Sequence, residues 1–227
     1  YFKTKKIEIL FLKLFKKKHP HKYSMTLFKT IKNYTNDHDF NKQLKVLGLQ
    51  YFDNKETGLT LIKYNQADKS KYDFSNELIR FSRGLIFSRE THQVVCIPPE
   101  KSLHIVPFSQ QISLDQWLNV SIEEFVDGTM INCFNHNDSW HISTRSFIGA
   151  NCKWYSQKKF NELFNEAKGN MEFDKLNPKY CYTFVLRHPD NRIVTQYSNA
   201  DICLVQVREI GENGYVEHSL ENIQKLL

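Results

Sequence analysis

The sequence predicts an α+β protein built mainly from antiparallel sheets. Strand-like runs outnumber helical patterns, and the few helices stand between groups of strands rather than alternating with single strands. The 227 residues are 41% hydrophobic and 14% aromatic, which excludes general disorder and suffices for a sizeable core. This length is compatible with one large domain or two modest ones.

Four segments have the apolar spacing or the end signals of helices. They are residues 27–34, 40–47, 160–167 and 220–227. Ser24 and Ser219 are candidate N-caps, because a serine hydroxyl can accept a hydrogen bond from an unpaired amide of the first turn. Gly48 and Gly169 follow two of the segments, and glycine is the usual residue just past a helix end.

Strands are predicted where β-branched and aromatic residues form short runs bounded by turn residues. These runs are residues 59–64, 81–87, 93–97, 122–134, 140–145, 180–186, 193–197, 202–210 and 215–216. Turn clusters separate neighbouring runs and predict hairpins. Pro98 and Pro99 end the run 93–97, because proline cannot donate to a strand ladder.

The net charge of +6 is concentrated at the N-terminus. Residues 1–22 contain eight of the 31 basic residues and one of the 25 acidic residues, so the rest of the chain carries a net charge of −1. We therefore expect a basic N-terminal arm over residues 1–22 and a main domain over residues 23–227. That domain must bind any phosphate through a local patch rather than a global field.

An apolar run at residues 7–15 lies within the basic arm. It is too short and too interrupted by charge to span a membrane, which takes about 20 apolar residues. Two interpretations stay open: an amphipathic helix that touches RNA or an anionic surface, and a solvated leader. We favour the leader.

The five cysteines are odd in number, lie far apart and have no zinc-site spacing. We expect neither a metal cluster nor a disulfide scaffold. Reduced cysteines in apolar surroundings act as small hydrophobes. A cytoplasmic or otherwise reducing intracellular compartment fits this pattern.

The segment 123–132 carries the strongest functional signal. It joins a strand-like run to the step Asp127-Gly128, where glycine lets the backbone approach a ligand closely. The segment 144–146 follows about twenty residues later, and residues 184–186 lead into the turn 189–194. This order and spacing resembles the ATP-dependent RNA ligases of the phage type, members of the covalent nucleotidyltransferase superfamily.

The resemblance implies a nucleotidyltransferase (ATP-grasp-like) fold, in which antiparallel sheets enclose a nucleotide-binding groove. In these ligases a lysine two residues before Asp-Gly attacks the α-phosphate of ATP and holds AMP as a phosphoramidate. Here that position is Phe125, which has no nucleophile. The ligases also place a glutamate at the position of Val185, where it serves the ribose or a metal.

Other positions match the ligase pattern between about residues 59 and 210. From the resemblance we expect a groove lined by Arg83, Gly84, Lys101, Phe125, Asp127, Gly128, Arg145, Phe184 and Arg192. The arginines and Lys101 would pair with phosphate, because a guanidinium presents a planar fork to it. Any Mg²⁺ would be held through Asp127 and the phosphates.

Each of these residue types has a structural interpretation as well. Asp127-Gly128 is compatible with a plain turn, and the arginines with structural ion pairs. Four histidines, at positions 104, 136, 141 and 188, lack a metal-ligand spacing, so we favour surface or hydrogen-bonded roles. We expect Trp140, Trp154 and Phe147 to belong to the core rather than to a base-stacking platform, and Phe125 to fill the empty nucleophile pocket rather than to stack on a base.

The later motifs of these ligases, a Glu-Gly step and a Lys-x-Lys strand, are not found before Leu227, and the chain starts at Tyr1. We expect either a truncated chain or a ligase-like domain that lacks the phosphate-gripping end.

Three hypotheses of function follow. The leading one is an RNA ligase-like protein of viral or phage type, a pseudoenzyme that binds ATP or RNA ends without forming lysyl-AMP. The alternative is an active ATP-dependent RNA ligase with a relocated nucleophile, for which Lys101 is the nearest candidate. The third is a non-catalytic scaffold that recruits RNA through its basic arm.

Overall fold

The computed structural model describes residues 10–14, 22–24, 26–34, 37–102, 109–110, 113, 120–154 and 156–218. The α-helices in these ranges are α1 (Thr26–Lys32), α2 (Asp37–Val46), α3 (Glu77–Phe81) and α4 (Phe160–Ala167), and two 3₁₀ helices span Gln66–Lys71 and Phe173–Lys175. The first six strands are β1 (Leu10–Leu14), β2 (Lys22–Ser24), β3 (Leu49–Asn54), β4 (Leu59–Tyr64), β5 (Arg83–Ser88) and β6 (Val94–Cys96). The other six are β7 (Val120–Glu124), β8 (Thr129–His136), β9 (Ser139–Ser143), β10 (Tyr180–Arg187), β11 (Asp201–Gly211) and β12 (Gly214–His218).

The strands form antiparallel sheets, which confirms the predicted α+β class. A six-stranded sheet has the order β2-β12-β11-β10-β8-β9, and a four-stranded sheet has the order β3-β4-β5-β6. A separate pair joins β1 to β7. Every described strand pair is antiparallel.

The two large sheets face each other across a shared apolar layer. Leu59 and Leu61 of β4, Ile86 of β5 and Phe134 of β8 are all completely buried there. The opposite face of the four-stranded sheet packs on α1, α2 and α3, so β4 is buried on both faces and reads as a continuous apolar run. Helix α4 covers the other face of the six-stranded sheet.

The helices predicted within the described ranges are present, but some of them begin or end at other residues than predicted. Helix α1 is confirmed, but Ser24 is the last residue of β2 and is not its N-cap. Helix α2 begins at Asp37, earlier than predicted, and Gly48 follows it with φ 69°. Helix α4 matches its predicted span. The predicted helix 220–227 lies outside the described residues.

Two strand predictions and one helical interpretation are wrong. Residues 122–134 do not form one strand: the chain leaves β7 at Glu124 and enters β8, in a different sheet, at Thr129. Residues 193–197 form an exposed irregular segment instead of a strand. Leu10–Leu14 of the basic arm pairs with β7 as a strand, so the helical interpretation is wrong for these five residues.

All five cysteines are reduced, as predicted. Cys96 of β6 and Cys181 of β10 meet between the two large sheets, with their sulfurs 3.4 Å apart. Within the described ranges, no helix combines the length and the apolar character that a membrane span needs.

Two glycines hold neighbouring segments at backbone contact distance. A Cβ at Gly84 (φ 100°) would lie 3.0 Å from both the Arg145 Cα and the Thr144 carbonyl oxygen. A Cβ at Gly128 (φ 149°) would lie 2.4 Å from the carbonyl oxygen of Leu186 in β10. A Cβ at Gly128 has no room, whereas a Cβ at Gly84 would force the neighbouring backbone to shift; the positive φ favours glycine at both positions.

We expect Gly128→Ala to lower the free energy of unfolding by at least about 2 kcal/mol, because it combines a strained φ with a backbone clash. Urea denaturation measures this loss. Gly58→Ala is the matched control, since Gly58 also has a positive φ (66°) but nothing lies within 4 Å of its Cβ position. Equal losses in the two variants would contradict the close approach to Leu186.

Candidate functional site

Three cations meet where the end of β4, the start of β5 and the turn after β9 come together. Lys63, Arg83 and Arg145 are here called the basic cluster. Lys63 and Arg83 are direct partners in the β4–β5 register. Arg145 Nη2 donates to the Tyr64 carbonyl oxygen at 2.6 Å, and its guanidinium carbon lies 4.5 Å from the centroid of the Tyr64 ring.

The basic cluster carries uncompensated positive charge. Burial is the largest cause that lowers the pKa of Arg145, and the charge of Arg83 acts in the same direction, against the opposing effect of Tyr64. Burial also lowers the pKa of Lys63, with Arg145 as the next cause. Among the described residues, no carboxylate pairs with any of the three cations. The Nε atoms of Arg83 and Arg145 are buried and have no hydrogen-bond partner in the part of the chain that the structure describes. This arrangement suits an anion.

The turn after β9 fixes Arg145 through a threonine. The buried Thr144 hydroxyl accepts hydrogen bonds from the amides of Ser146 at 3.2 Å and Phe147 at 3.1 Å. The Thr144 amide donates to the Phe147 carbonyl at 3.0 Å. Because these bonds close the turn, Arg145 and Phe147 project from a defined backbone.

Lys101 lies next to the segment that holds Arg83. Arg83 Nη1 donates to the carbonyl oxygens of Pro99 at 3.3 Å and Glu100 at 2.9 Å. The ammonium of Lys101 donates to the Ser102 carbonyl at 2.6 Å, and the Lys101 amide donates to a carbonyl of α3 at 3.1 Å. The Arg83 guanidinium thus binds the backbone one and two residues before Lys101. This contact places the segment that carries Lys101 next to Arg83.

Asp127 organises the loop 192–197. Its Oδ2 accepts hydrogen bonds from the amides of Val194 at 3.0 Å and Thr195 at 2.6 Å. The Tyr197 hydroxyl donates to the Asp127 carbonyl at 2.8 Å. Asp127 is therefore a loop anchor in this structure, and not only part of a plain turn.

Val185 lies beside Gly128, while Phe125 is open to solvent. A Cβ at Gly128 would lie 2.7 Å from a Val185 methyl group, so the two substituted ligase positions flank one short stretch of backbone. The Phe125 side chain is 45% exposed. Phe125 is thus half-buried, and the expectation that it fills the empty nucleophile pocket stays a prediction.

Two predicted groove residues lie elsewhere. Phe184 is buried among the residues that pack on α4, where it cannot reach a ligand directly. Arg192 is exposed and bonds within its own loop, to the Val194 carbonyl at 3.3 Å and to Gln196 at 3.5 Å. The structure thus brings Arg83, Gly84 and Arg145 together and leaves Arg192 on the loop that Asp127 anchors.

The aromatic predictions are right for one residue of three. Trp140 packs against the core, as expected. Phe147 and Trp154 are 47% and 58% exposed, so their assignment to the core is wrong. Lys63 and Phe52 were not predicted from the sequence. The signal for Lys63 was a single cation inside the apolar run Leu59–Tyr64.

His188, which is buried, makes hydrogen bonds, as predicted from the sequence. His188 Nδ1 accepts from the Asp190 amide at 3.0 Å, and Nε2 lies 3.0 Å from Glu166. Lys158 bridges Glu166 and Asp190 at 2.8 and 3.2 Å. Glu166, His188 and Asp190 are grouped closely enough for a metal ion. The lysine already supplies the positive charge there, and both histidine nitrogens are engaged.

Comparisons with known proteins support the ligase resemblance. The chain is 32% identical over 118 residues to an RNA ligase of Rhodothermus phage RM378. The resemblance to phage-type RNA ligases is confirmed. The match covers 44% of this chain and 26% of that protein.

Two viral relatives point the same way. A candidate RNA ligase of African swine fever virus is 28% identical over 49% of this chain and 30% of its own length. A candidate bifunctional polynucleotide kinase/RNA ligase of Autographa californica nuclear polyhedrosis virus is 25% identical over 63% of this chain and 22% of its own length. The match thus spans less than a third of each curated relative, and these relatives indicate an RNA ligase-like nucleotidyltransferase fold.

No protein-family model matches the chain. A solved structure of a candidate ATP-dependent DNA ligase from Aquifex aeolicus aligns with 84% of this chain and 47% of its own, at 16% identity and a TM-score of 0.47. A likeness of this strength carries no conclusion about function.

We expect Asp127→Ala to release the loop 192–197. The amides of Val194 and Thr195 would lose about tenfold or more of their protection from hydrogen exchange, because bonds to a charged acceptor contribute about 1.5–3 kcal/mol. Asp127→Asn keeps an oxygen acceptor and should retain part of the protection. Asp174→Ala, at an exposed acidic position, is the control and should leave these amides unchanged. Unchanged exchange in Asp127→Ala would disprove the anchor.

Proposed function

We propose that this protein binds the phosphates of ATP or the 5′-phosphate end of an RNA at the basic cluster, without forming lysyl-AMP. The observation that carries this proposal is the meeting of Lys63, Arg83 and Arg145 with no carboxylate partner among the described residues. Partly buried cations without a counter-charge carry a desolvation cost, and an anionic ligand would offset it.

The geometry favours phosphate over other anions. Two guanidinium groups offer several N–H donors in fixed planes, which suit the oxygens of a phosphate. Gly84 lies directly against the Arg145 backbone, so the two arginines stay close. Because the body of the chain carries a net charge of −1, this local cluster rather than a general field would attract the ligand.

The absence of covalent chemistry is supported by the two substituted positions. Phe125 has no nucleophile, and Val185 beside Gly128 offers no oxygen to a metal or a ribose. One oxygen of Asp127 already accepts two backbone hydrogen bonds. These donors do not fit a protein-held Mg²⁺, so any Mg²⁺ would arrive on the phosphates of the nucleotide.

A second candidate function is an active RNA ligase with a relocated nucleophile, and one observation favours Lys63 over Lys101 for that role. Burial and the nearby Arg145 lower the pKa of Lys63, and a lowered pKa makes an amine more nucleophilic. Lys63→Arg and Lys101→Arg would show which lysine carries any adduct.

We expect the protein incubated with ATP labelled at the α-phosphate and Mg²⁺ to show no covalent AMP on denaturing gels or by mass spectrometry. An adduct on any lysine would overturn the non-covalent proposal.

We expect Arg145→Ala to weaken ATP binding by roughly ten- to a hundredfold, because hydrogen bonds to charged groups contribute about 1.5–3 kcal/mol. Isothermal titration calorimetry measures this change. Lys175→Ala, an exposed cation paired with Glu172, is the matched control and should bind like the parent protein. If neither ATP nor a 5′-phosphorylated RNA binds in an Arg145-dependent way, the phosphate site is disproved.

The scaffold hypothesis predicts a different pattern. Replacing Lys16, Lys17 and Lys18 by glutamine would then abolish RNA binding, while Arg145→Ala would leave it unchanged. Glutamine substitution is preferable to deletion of the arm, because Leu10–Leu14 pairs with β7.

A further inference from the structure

Two exposed phenylalanines flank the ammonium group of Lys63. Its Nζ lies 4.5 Å from the ring centroid of Phe52 and 5.8 Å from that of Phe147. The side chains of Phe52 and Phe147 are 42% and 47% exposed. We propose that Phe52, Lys63 and Phe147 form a stacking site for the bases of single-stranded RNA, beside the phosphate site. This inference rests on the proposed function of the basic cluster, and it adds the class of nucleic acid and the residues that contact its bases.

The fold brings the two rings together from different sheets. Phe52 lies on β3, an edge strand of the four-stranded sheet, in register with the buried Leu61. Phe147 belongs to the turn that follows β9 of the six-stranded sheet. The two rings therefore lie near the same ammonium group, beside the apolar layer between the sheets to which Leu61 belongs. Exposed aromatic groups in such a place mark a binding surface.

The chemistry of the surface selects a nucleic acid. Aromatic faces stack on nucleobases of any sequence, at about 1–3 kcal/mol per base, and cations beside them bind the backbone. Lys63 belongs both to the aromatic surface and to the basic cluster. Its ammonium lies over the two rings, and the charge of Arg145 contributes to lowering its pKa. When Lys63 turns toward a phosphate, the ring faces that it now covers become available to bases.

The spacing suits one nucleotide. Arg145 and Phe147 are two residues apart on a turn closed by Thr144, so their Cα atoms are at most about 7 Å apart. A phosphate on Arg145 would therefore place its own base, or the next one, beside Phe147. Single strands fit this arrangement, because their bases can turn outward, whereas those of a duplex are stacked and paired.

The acidic residue nearest to Phe52 in the sequence does not repel an anionic partner. Asp53 follows Phe52 on β3, and its carboxylate is 2.6 Å from Arg89 and accepts the Thr60 hydroxyl at 2.5 Å. Its charge is thus compensated within the protein.

The test uses a 5′-phosphorylated, ten-nucleotide single-stranded RNA with a 3′ fluorophore, and fluorescence anisotropy with the full chain. We expect Phe147→Ala and Phe52→Ala each to weaken binding by about five- to a hundredfold, the range that follows from 1–3 kcal/mol per stacked base. Phe147→Trp should retain the affinity. Phe147→Leu, which keeps apolar bulk but no stacking face, should lose it. Val46→Ala is the control, because Val46 is an exposed apolar residue on α2.

A change in the RNA checks the same contact from the other side. An oligonucleotide without the base at its 5′-terminal and second positions should bind the parent protein about as weakly as Phe147→Ala binds the intact RNA. It should also be insensitive to Phe147→Ala, since the stacked partner is already missing. Base removal and Phe147→Ala are each expected to weaken binding. If the free-energy losses of these two changes add in full when they are combined, the contact between this ring and these bases is disproved.

The outcomes separate this inference from the phosphate site. If Arg145→Ala weakens RNA binding and the phenylalanine variants do not, the stacking site is disproved and the phosphate site stands. If the phenylalanine variants lose affinity for RNA while Arg145→Ala changes the binding of neither ATP nor the 5′-phosphorylated RNA, the stacking site stands and the phosphate site is disproved. If Phe147→Leu binds like the parent, or if the variants only abolish self-association in sedimentation, the rings serve a protein contact and the inference is wrong.

Discussion

The contact of Gly84 with the Thr144–Arg145 backbone is the constraint on which the rest of the site depends. It holds the start of β5 in the four-stranded sheet against the turn that follows β9 in the six-stranded sheet, so closely that a Cβ at position 84 would press on that backbone. From that one contact Arg145 reaches the carbonyl oxygen and ring of Tyr64, and comes close enough to Arg83 for the two charges to interact. A larger residue at position 84 would separate the sheets where the cations meet.

The buried arginine Arg208 shows how this chain pairs a cation that has a structural role. Arg208 is 2% exposed, and it is paired with Glu217 at 3.3 Å and donates to the Ile97 carbonyl at 3.1 Å. The basic cluster has no such carboxylate within the described residues, although it is also partly buried. No carboxylate among the described residues offsets the desolvation cost of these cations, and the proposed anionic ligand would offset it.

Periodicity predicted most of the elements, because their buried faces are set by local sequence. Helix α4 and strand β4 match their predicted spans, and Arg83-Gly84 and Arg145 were found from their order along the chain. Lys63 and Phe52 were not found, because their roles arise only when β3, β4 and a turn from another sheet come together. The strand break after Glu124 was missed since its apolar pattern continues across two sheets.

The Asp-Gly step shows how a catalytic motif can be required by the fold alone. Gly128 must be a glycine because the Leu186 carbonyl lies where a Cβ would be, and Asp127 holds the loop 192–197 through two backbone amides. Neither requirement involves a nucleophile. Phe125 is half-exposed and Val185 packs beside Gly128, so the side chains at these two positions are compatible with the local structure of the Asp-Gly step. The shape of this step is therefore explained by its backbone contacts alone, whatever chemistry the chain carries out.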